Sequence, residues 1–218
     1  MGVIEKSMAK VYVFLSSGIS RREFYLEHFR RTKKQGDTVI CADGGYRVAQ
    51  ALGILPDYVI GDLDSLGEAE PSGKPEIIKF PSEKDFSDFE LALNKSMEFG
   101  PEKIVVYGAL GGRKDHEITN VLLLAFVEAP TVFIEEEVEM FNVIHDFSIR
   151  GKKGLTCSLL SFGGPTYVQE MRGFHYVLKN EELQPSSRGL SNIIMDDEAY
   201  IRIERGNLVV IVNQYFNP

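Results

Sequence analysis

The chain has 218 residues, of which 44% are hydrophobic and 26% are charged, and it carries a formal net charge of −8. This balance predicts a folded globular protein of one or two domains rather than a disordered or fibrous chain. The acidic surplus argues against nucleic acid or an anionic membrane as a partner, because both attract concentrated Lys and Arg.

The cysteines and the apolar segments indicate the cellular compartment in which the protein is expected. Cys41 and Cys157 form neither a disulfide framework nor a zinc-binding pattern, so we expect two buried thiols in a reducing environment. The longest apolar run, residues 121–127, is too short to span a bilayer. Residues 1–10 contain no apolar core of the kind found in signal peptides. These features predict a cytoplasmic protein with no membrane partner.

In the first part of the chain, short β-branched runs alternate with helical patterns. This alternation predicts βαβ units and a Rossmann-like, mostly parallel sheet flanked by helices. Ser20 with Glu23 and Ser87 with Glu90 have the spacing of helix capping pairs. The strands are expected at residues 10–15, 38–42, 58–60, 76–80, 103–109 and 131–135. The helix after Gly112 should bury Ile118, Val121, Leu122 and Ala125, which share one face.

From about residue 140 the helical period disappears. Alternating runs at residues 156–162, 166–171, 175–179, 199–204 and 208–212 predict antiparallel strands. The sequence "RGN" at residues 205–207 is expected to form a tight hairpin turn. The chain should therefore have an α/β domain of residues 1–139, followed by an antiparallel β-sandwich of residues 140–218.

Charged and glycine-rich segments follow four of the predicted strands. In an open α/β sheet, this edge is where ligands bind. The segments contain Asp43, Gly44 and Gly45, then Asp62 and Asp64, then Lys84, Asp85 and Asp88, and finally Gly111, Gly112, Arg113, Asp115 and His116. Taken singly, each residue fits a turn, a helix cap or a solvated charge.

Taken together, these residues predict a site for Mg²⁺ and a nucleotide. Several carboxylates at one edge repel one another unless a cation lies among them. Mg²⁺ suits this setting, because it binds carboxylate oxygens together with water and phosphate oxygens. A polyphosphate could be bound by hydrogen bonds from glycine N–H groups and by the positive charges of Lys84 and Arg113. The chain contains neither a Walker motif nor GxGxxG.

The same residues resemble a known family. "CADGGYRVAQALGILPDYVIGDLDSL", "EKDFSDFELAL", "YGALGGRKDHEITNVLLL" and "RGLSN" resemble, in order and spacing, the motifs of thiamine pyrophosphokinases. The resemblance implies an α/β domain followed by a β-sandwich, a homodimer, and transfer of the terminal diphosphate of ATP to the hydroxyl of thiamine.

Residue roles are carried over by position. The resemblance implies that Asp62, Asp64 and Asp88 hold Mg²⁺ with the ATP phosphates. Asp115 would lie near the thiamine hydroxyl, as an orienting group or a base. The other implied contacts are Asp43, Gly44, Lys84, Asp85, Gly112 and Arg113 around the phosphates, and Ser191 and Asn192 facing thiamine in the partner subunit's site.

Two departures and three alternatives accompany the resemblance. Family members often have Thr where this chain has Ser87, and some stack a tryptophan on thiamine, whereas this chain has no tryptophan. Any stacking would therefore come from Tyr or Phe. The alternatives are a pyrophosphokinase for another alcohol such as a pterin, a phosphatase of the haloacid dehalogenase type, and a non-catalytic nucleotide or thiamine sensor. The phosphatase family expects Thr or Val where this chain has Leu66.

Overall fold

The structure is a computed structural model, and it describes residues 9–17, 19–62, 73–81 and 83–214. Backbone contacts divide the chain into two units, Met1–Gly112 and Arg113–Pro218. Within the described ranges, no helix combines the length and the hydropathy that a transmembrane span requires. The architecture is α/β.

In the first unit, the described residues form a parallel sheet with helices packed on it. The sheet has the order β5-β1-β2-β3-β4, and every neighbouring pair is parallel. The strands are β1 (Lys10–Phe14), β2 (Thr38–Ala42), β3 (Tyr58–Gly61), β4 (Glu76–Lys79) and β5 (Lys103–Tyr107). The helices are α1 (Arg22–Thr32), α2 (Gly45–Ala51) and α3 (Asp88–Glu98).

Sequence patterning explains much of this unit. The strands expected here match β1 to β5. The apolar runs of β1, β2, β3 and β5 are buried in the sheet core, whereas Ile77 of β4 is 46% exposed. The capping prediction at Ser87 is confirmed, since its Oγ accepts a hydrogen bond of 3.2 Å from Glu90 N. The prediction at Ser20 is wrong by one position, because α1 begins at Arg22 with Arg21 as its N-cap residue.

The second unit is antiparallel in its described strands. They pair in the order β6-β7-β12-β9-β10, with β8 also on β12 and β11 also on β9. The elements are α4 (Lys114–Phe126), β6 (Thr131–Ile134), β7 (Val138–Val143), β8 (Asp146–Arg150), β9 (Thr156–Arg172), β10 (Glu181–Leu183), a 3₁₀ turn (Ser187–Gly189), β11 (Asn192–Ile193) and β12 (Glu198–Asn213).

Two long bulged strands replace several of the short strands expected here. The 17 residues of β9 and the 16 residues of β12 pair along their lengths, with register shifts between Arg202 and Asn207. The predicted turn at residues 205–207 is therefore a bulge inside β12, with Gly206 at a φ of +97°. Residues 175–179, predicted as a strand, are not one. An apolar cluster that includes Leu159, Ile201 and Val210 lies in the core of this unit.

The predicted buried face of α4 is only partly correct. Ala125 is 5% exposed, but Ile118 is 72% exposed and Leu122 is 47% exposed. The helix instead buries Asn120, Leu124 and Ala125. Its run of consecutive apolar residues carries little periodicity, so the sequence does not single out one face.

Candidate active site

Three carboxylate residues lie at the carboxyl edge of the first unit's sheet. Asp43 directly follows β2, Asp62 directly follows β3, and Asp88 begins α3. The Asp43 amide donates a hydrogen bond of 2.7 Å to Ile60 O, which ties the loop after β2 to β3. Parallel strands therefore bring together residues that are far apart in sequence, as the sequence predicted.

Gly61 lets these segments approach closely. Its φ of +151° is rarely adopted by residues with a side chain. A Cβ at this position would lie 3.0 Å from Asp43 Cβ and 3.1 Å from Asp88 Oδ1. Asp43 and Asp88 thus both lie close to the space that a side chain at position 61 would occupy, and Asp62 is the next residue along the chain. Asp43 itself has a φ of +41°, a conformation that Asp tolerates better than most residues.

The carboxylate of Asp88 has one unsatisfied oxygen. Its Oδ1 is buried and accepts no hydrogen bond from the part of the chain that the structure describes. Lys84 Nζ lies 3.0 Å from this oxygen, and the Lys84 side chain is only 13% exposed. The contact between them is ionic without hydrogen-bond geometry. A buried carboxylate oxygen in this state can accept a further cation or donor.

The third predicted magnesium ligand, Asp64, lies outside the described residues. Among the residues that are described, no three or more His, Cys, Asp or Glu side chains are grouped so that they could hold a metal ion. Asp62 and Asp88 are therefore the two predicted ligands that the structure describes. Asp85, which we expected near the phosphates, is exposed in the segment between β4 and α3.

The glycines of the two predicted phosphate loops pack against the loop that follows β1. A Cβ on Gly44 would lie 2.9 Å from Ser16 Cβ, and one on Gly112 would lie 2.8 Å from Ser17 Oγ. Ser16 and Ser17 were not among the residues predicted to bind the nucleotide. In the sequence they are two small polar residues at the end of a buried strand, in "FLSSG". Such a pair is equally typical of an ordinary turn.

Arg113 and Asp115 form an exposed ion pair at the start of α4, in the second unit. Arg113 Nε donates to Asp115 Oδ1 at 3.1 Å, and the amide of His116 donates to the same oxygen at 3.0 Å. These hydrogen bonds hold the pKa of Asp115 at about 2, below the ordinary value of 3.8. The same pairing raises the pKa of Arg113. Asp115 is thus a carboxylate that stays ionised at neutral pH.

The second unit also contains a cavity of about 400 Å³. Asn192, one of the predicted thiamine contacts, is part of its wall. The lining residues are Leu159, Met171, His175, Tyr176, Val177, Leu178, Leu183, Arg188, Gly189, Leu190 and Asn192. Most of these side chains are apolar or aromatic, which is typical of a site for a small organic molecule.

Asn192 holds Tyr176 at the wall of this cavity. Asn192 Nδ2 donates to Tyr176 O at 2.7 Å, and Asn192 Oδ1 accepts from Tyr176 N at 3.0 Å. Tyr176 is 65% exposed although its backbone is fixed. Ser191, the other predicted thiamine contact, is exposed next to Asn192 and has a φ of +56°. Tyr176 was not among the predicted site residues, because a strand was expected at residues 175–179.

Comparison with known proteins identifies the family. The family model described as thiamin pyrophosphokinase, catalytic domain, matches residues 29–134, and the one described as thiamin pyrophosphokinase, vitamin B1 binding domain, matches residues 144–208. The chain belongs to the thiamin pyrophosphokinase family. Thiamine pyrophosphokinase 1 of Oryza sativa subsp. japonica is 30% identical over 202 residues, which cover 75% of this chain and 74% of that protein.

Other relatives agree with this assignment. Thiamine pyrophosphokinase of Bacillus subtilis (strain 168) is 26% identical over 169 residues, covering 73% of this chain and 79% of that protein. A crystal structure of thiamine pyrophosphokinase from Bacillus subtilis superposes with a TM-score of 0.80 over 95% of this chain and all of that one, at 20% identity. At that identity, the structural likeness shows that the thiamin pyrophosphokinase fold is shared.

Proposed function

We propose that this chain transfers the terminal diphosphate of ATP to the hydroxyl of thiamine, giving thiamine diphosphate and AMP. This is the known reaction of the thiamin pyrophosphokinase family. The observation that carries the proposal is the presence of both family regions, catalytic and vitamin B1 binding, in order along one chain. In this reaction the thiamine oxygen bonds to the β-phosphorus, and the bond from that phosphorus to the AMP oxygen breaks.

Asp62, Asp64 and Asp88 are the proposed ligands of Mg²⁺. The Oδ1 of Asp88, which is buried next to Gly61 and accepts no hydrogen bond from any residue that the structure describes, supports this assignment. Carboxylate oxygens are the ligands that Mg²⁺ prefers, and the ion completes its shell with phosphate oxygens and water. When bound, Mg²⁺ would neutralise charge on the polyphosphate and on the leaving AMP. Asp43, which also lies close to Gly61, would be next to this site.

Cations and backbone amides are the proposed phosphate contacts. Lys84 is directed at Asp88, so it would bring positive charge to the same place as the metal. The amides of Gly44 and Gly112 would donate to phosphate oxygens, and Arg113 would form charge-assisted hydrogen bonds to them. Asp85 is the least supported member of this group, since it is exposed and no contact ties it to Asp88 or Lys84 among the described residues.

Asp115 is proposed to orient the thiamine hydroxyl rather than to remove its proton. A carboxylate with a pKa of about 2 is a weak base at neutral pH. It remains a good hydrogen-bond acceptor, and thiamine carries a positive ring that a carboxylate attracts. The transfer would then depend mainly on positioning and on charge neutralisation.

The cavity of the second unit is the proposed thiamine contact surface, with Tyr176 as the aromatic residue that meets a thiamine ring. Its exposed face and its position at the cavity wall support this role. Asn192 would act mainly by positioning Tyr176, because its amide already bonds to the Tyr176 backbone. Ser191 would contact thiamine, in the partner subunit's site of a homodimer.

The finer fold description is also part of this proposal. We propose a Rossmann-like domain of residues 1–139 and a β-sandwich of residues 140–218. Three observations support it: the parallel strands β1 to β5, the apolar cluster formed largely by β9 and β12, and the two family matches, which fall on either side of that boundary. Cys41 and Cys157 are buried free thiols, which supports a reducing, cytoplasmic compartment.

A product assay tests the proposed function. The protein is incubated with ATP, Mg²⁺ and thiamine, and the products are separated by chromatography, with controls that contain EDTA or omit thiamine. We expect AMP and thiamine diphosphate in equal amounts, both abolished by EDTA. Phosphate released without thiamine would instead indicate a hydrolase. ADP with thiamine monophosphate would indicate transfer of a single phosphoryl group, and AMP formed only with a pterin alcohol would reassign the acceptor.

A further inference from the structure

The strand order of the first unit marks one crevice at the sheet edge. The chain runs from β1 through β2 and β3 to β4 in one direction, and then returns to place β5 on the other side of β1. The strand order thus reverses between β1 and β5. In open α/β sheets, ligands bind at such a reversal, outside the carboxyl ends of the strands.

The residues at that reversal are the Leu15–Ser17 segment after β1 and the glycine-rich segment 108–112 after β5. Ser17 N donates a hydrogen bond of 3.2 Å to Gly108 O, and Leu15 N donates one of 2.9 Å to Tyr107 O. A Cβ on Gly108 would lie 2.8 Å from Ser17 O, so the two segments are as close as backbone allows. These hydrogen bonds run through the backbone and do not use the serine hydroxyls.

The two serine side chains face different phosphate loops. Ser17 Oγ lies 2.8 Å from where a Cβ on Gly112 would be, and Ser16 Cβ lies 2.9 Å from the equivalent position on Gly44. Ser16 is exposed and Ser17 is partly exposed, so a ligand can reach both. The segment after β1 therefore places two hydroxyl groups between the two loops that we propose to bind phosphate.

We propose that the hydroxyls of Ser16 and Ser17 bind the polyphosphate of the nucleotide. A hydroxyl can donate a hydrogen bond to a phosphoryl oxygen, and because it is neutral it leaves the charge balance of the carboxylates and Mg²⁺ unchanged. The inference rests on the proposed function, which supplies a nucleotide to this edge. It assigns to Ser16 and Ser17 the role of orienting the phosphate chain at the reversal between β1 and β5, beside the carboxylates that follow β2 and β3.

Nucleotide binding tests this inference without relying on turnover. The dissociation constant of α,β-methylene-ATP, which cannot be cleaved between its α and β phosphorus atoms, is measured by calorimetry with Mg²⁺. We expect Ser17→Ala and Ser16→Ala each to weaken binding by about tenfold, as for loss of one hydrogen bond to a charged group. In the transfer assay, the KM for ATP should rise in parallel while the KM for thiamine stays unchanged.

Two further variants separate hydrogen bonding from packing. Ser17→Cys keeps the size of the side chain but has a much weaker donor, so it should weaken binding nearly as much as Ser17→Ala. Ser148→Ala removes an exposed serine from β8, and we expect it to bind the analogue as the wild type does.

Each remaining outcome is decisive. Unchanged analogue binding in both alanine variants would overturn the inference even if the wild type makes thiamine diphosphate. A lowered Tm with equal losses for both substrates would show that the serines only support the fold. If the wild type binds the analogue through Ser17 but makes no thiamine diphosphate, the proposed function fails and the inference stands. A wild type that binds no analogue would overturn both.

Discussion

The two units present opposite kinds of surface. At the edge of the first unit, Asp43 and Asp88 both lie close to Gly61, which precedes Asp62. Oδ1 of Asp88 is buried there and accepts no hydrogen bond from the described residues. The second unit has a cavity of about 400 Å³ whose wall is mostly apolar and includes Tyr176. The first surface is characterised by its charged side chains, and the second by its concave apolar shape and an exposed aromatic ring.

This difference suits the two proposed substrates. A polyphosphate is highly anionic, and an acidic edge can bind it only through a cation. Thiamine is a cation with aromatic rings, and a preformed cavity with an exposed tyrosine can bind such rings without a metal. Substitutions at the edge should therefore affect nucleotide use and turnover, whereas substitutions at the cavity should affect thiamine affinity alone.

The largest expected effect comes from Asp88→Asn. This change keeps the shape of the side chain but removes the charge proposed to hold Mg²⁺, and we expect kcat/KM to fall by about 10²- to 10³-fold. Glu98→Gln at the other end of α3 is the matched control. Its ion pair with Lys95 is screened by solvent because Glu98 is 64% exposed, so its kinetics should equal those of the wild type. Near-normal turnover of Asp88→Asn would refute the metal-ligand assignment.

The second largest effect concerns the bulge in β12 and appears in stability. Gly206→Ala adds a Cβ that would lie 2.6 Å from Thr166 Cα, at a residue with a φ of +97°. We expect a loss of about 2 kcal/mol or more in the free energy of unfolding, which lowers Tm by about 4–8 °C. Gly151→Ala, at a φ of +68° with open space around it, should cost less. Calorimetric scans giving equal Tm losses for both variants would show that the close contact is unimportant.

Tyr176→Ala tests whether the cavity of the second unit contributes to thiamine binding. Loss of a stacking or cation–π contact should raise the KM for thiamine by about tenfold. The KM for ATP should not change, because the acidic edge is intact. Tyr176→Phe keeps the ring and should keep the wild-type KM. The measurement is steady-state kinetics with each substrate varied in turn. An unchanged KM for thiamine in Tyr176→Ala would show that Tyr176 does not contact thiamine.

The smallest effect is a change in one pKa. Arg113→Gln removes the Arg113 hydrogen bonds, the largest cause of the lowered pKa of Asp115, so this pKa should rise from about 2 toward 3.8 while the hydrogen bond from the His116 amide remains. Because the folded-state pKa is depressed, the pair contributes stability above pH 3.8 and loses it as pH falls toward 2. An NMR titration of the Asp115 carboxyl would measure the change. Lys114→Gln, which removes the ion pair between Lys114 and Glu117, should leave the pKa of Asp115 unaltered.

The first unit was largely predictable from its sequence. Each buried parallel strand is a continuous apolar run, and the residues that follow such strands must meet at one edge. The meeting of Asp43 and Asp88 beside Gly61 follows from that rule. The rule did not reveal Ser16 and Ser17, because two serines after a strand resemble an ordinary turn.

The strand boundaries of the second unit were less predictable, because Gly206 lies in a bulge within one long strand and not in a turn between two short ones. Alternation shows which residues face the core but not whether Gly206 ends a strand or bends it. The sequence therefore predicted a hairpin within what is one continuous strand, β12. Tyr176 was missed for a related reason, since its place at the cavity wall depends on hydrogen bonds to Asn192, which is distant in sequence.

A crystal structure of the protein with Mn²⁺, α,β-methylene-ATP and thiamine, with the metal located by anomalous scattering, would test the proposed metal site directly. We expect a metal peak within bonding distance of carboxylate oxygens of Asp62, Asp64 and Asp88 and of the phosphates, with a thiamine ring against Tyr176. A metal and nucleotide bound away from these carboxylates would contradict the proposed site.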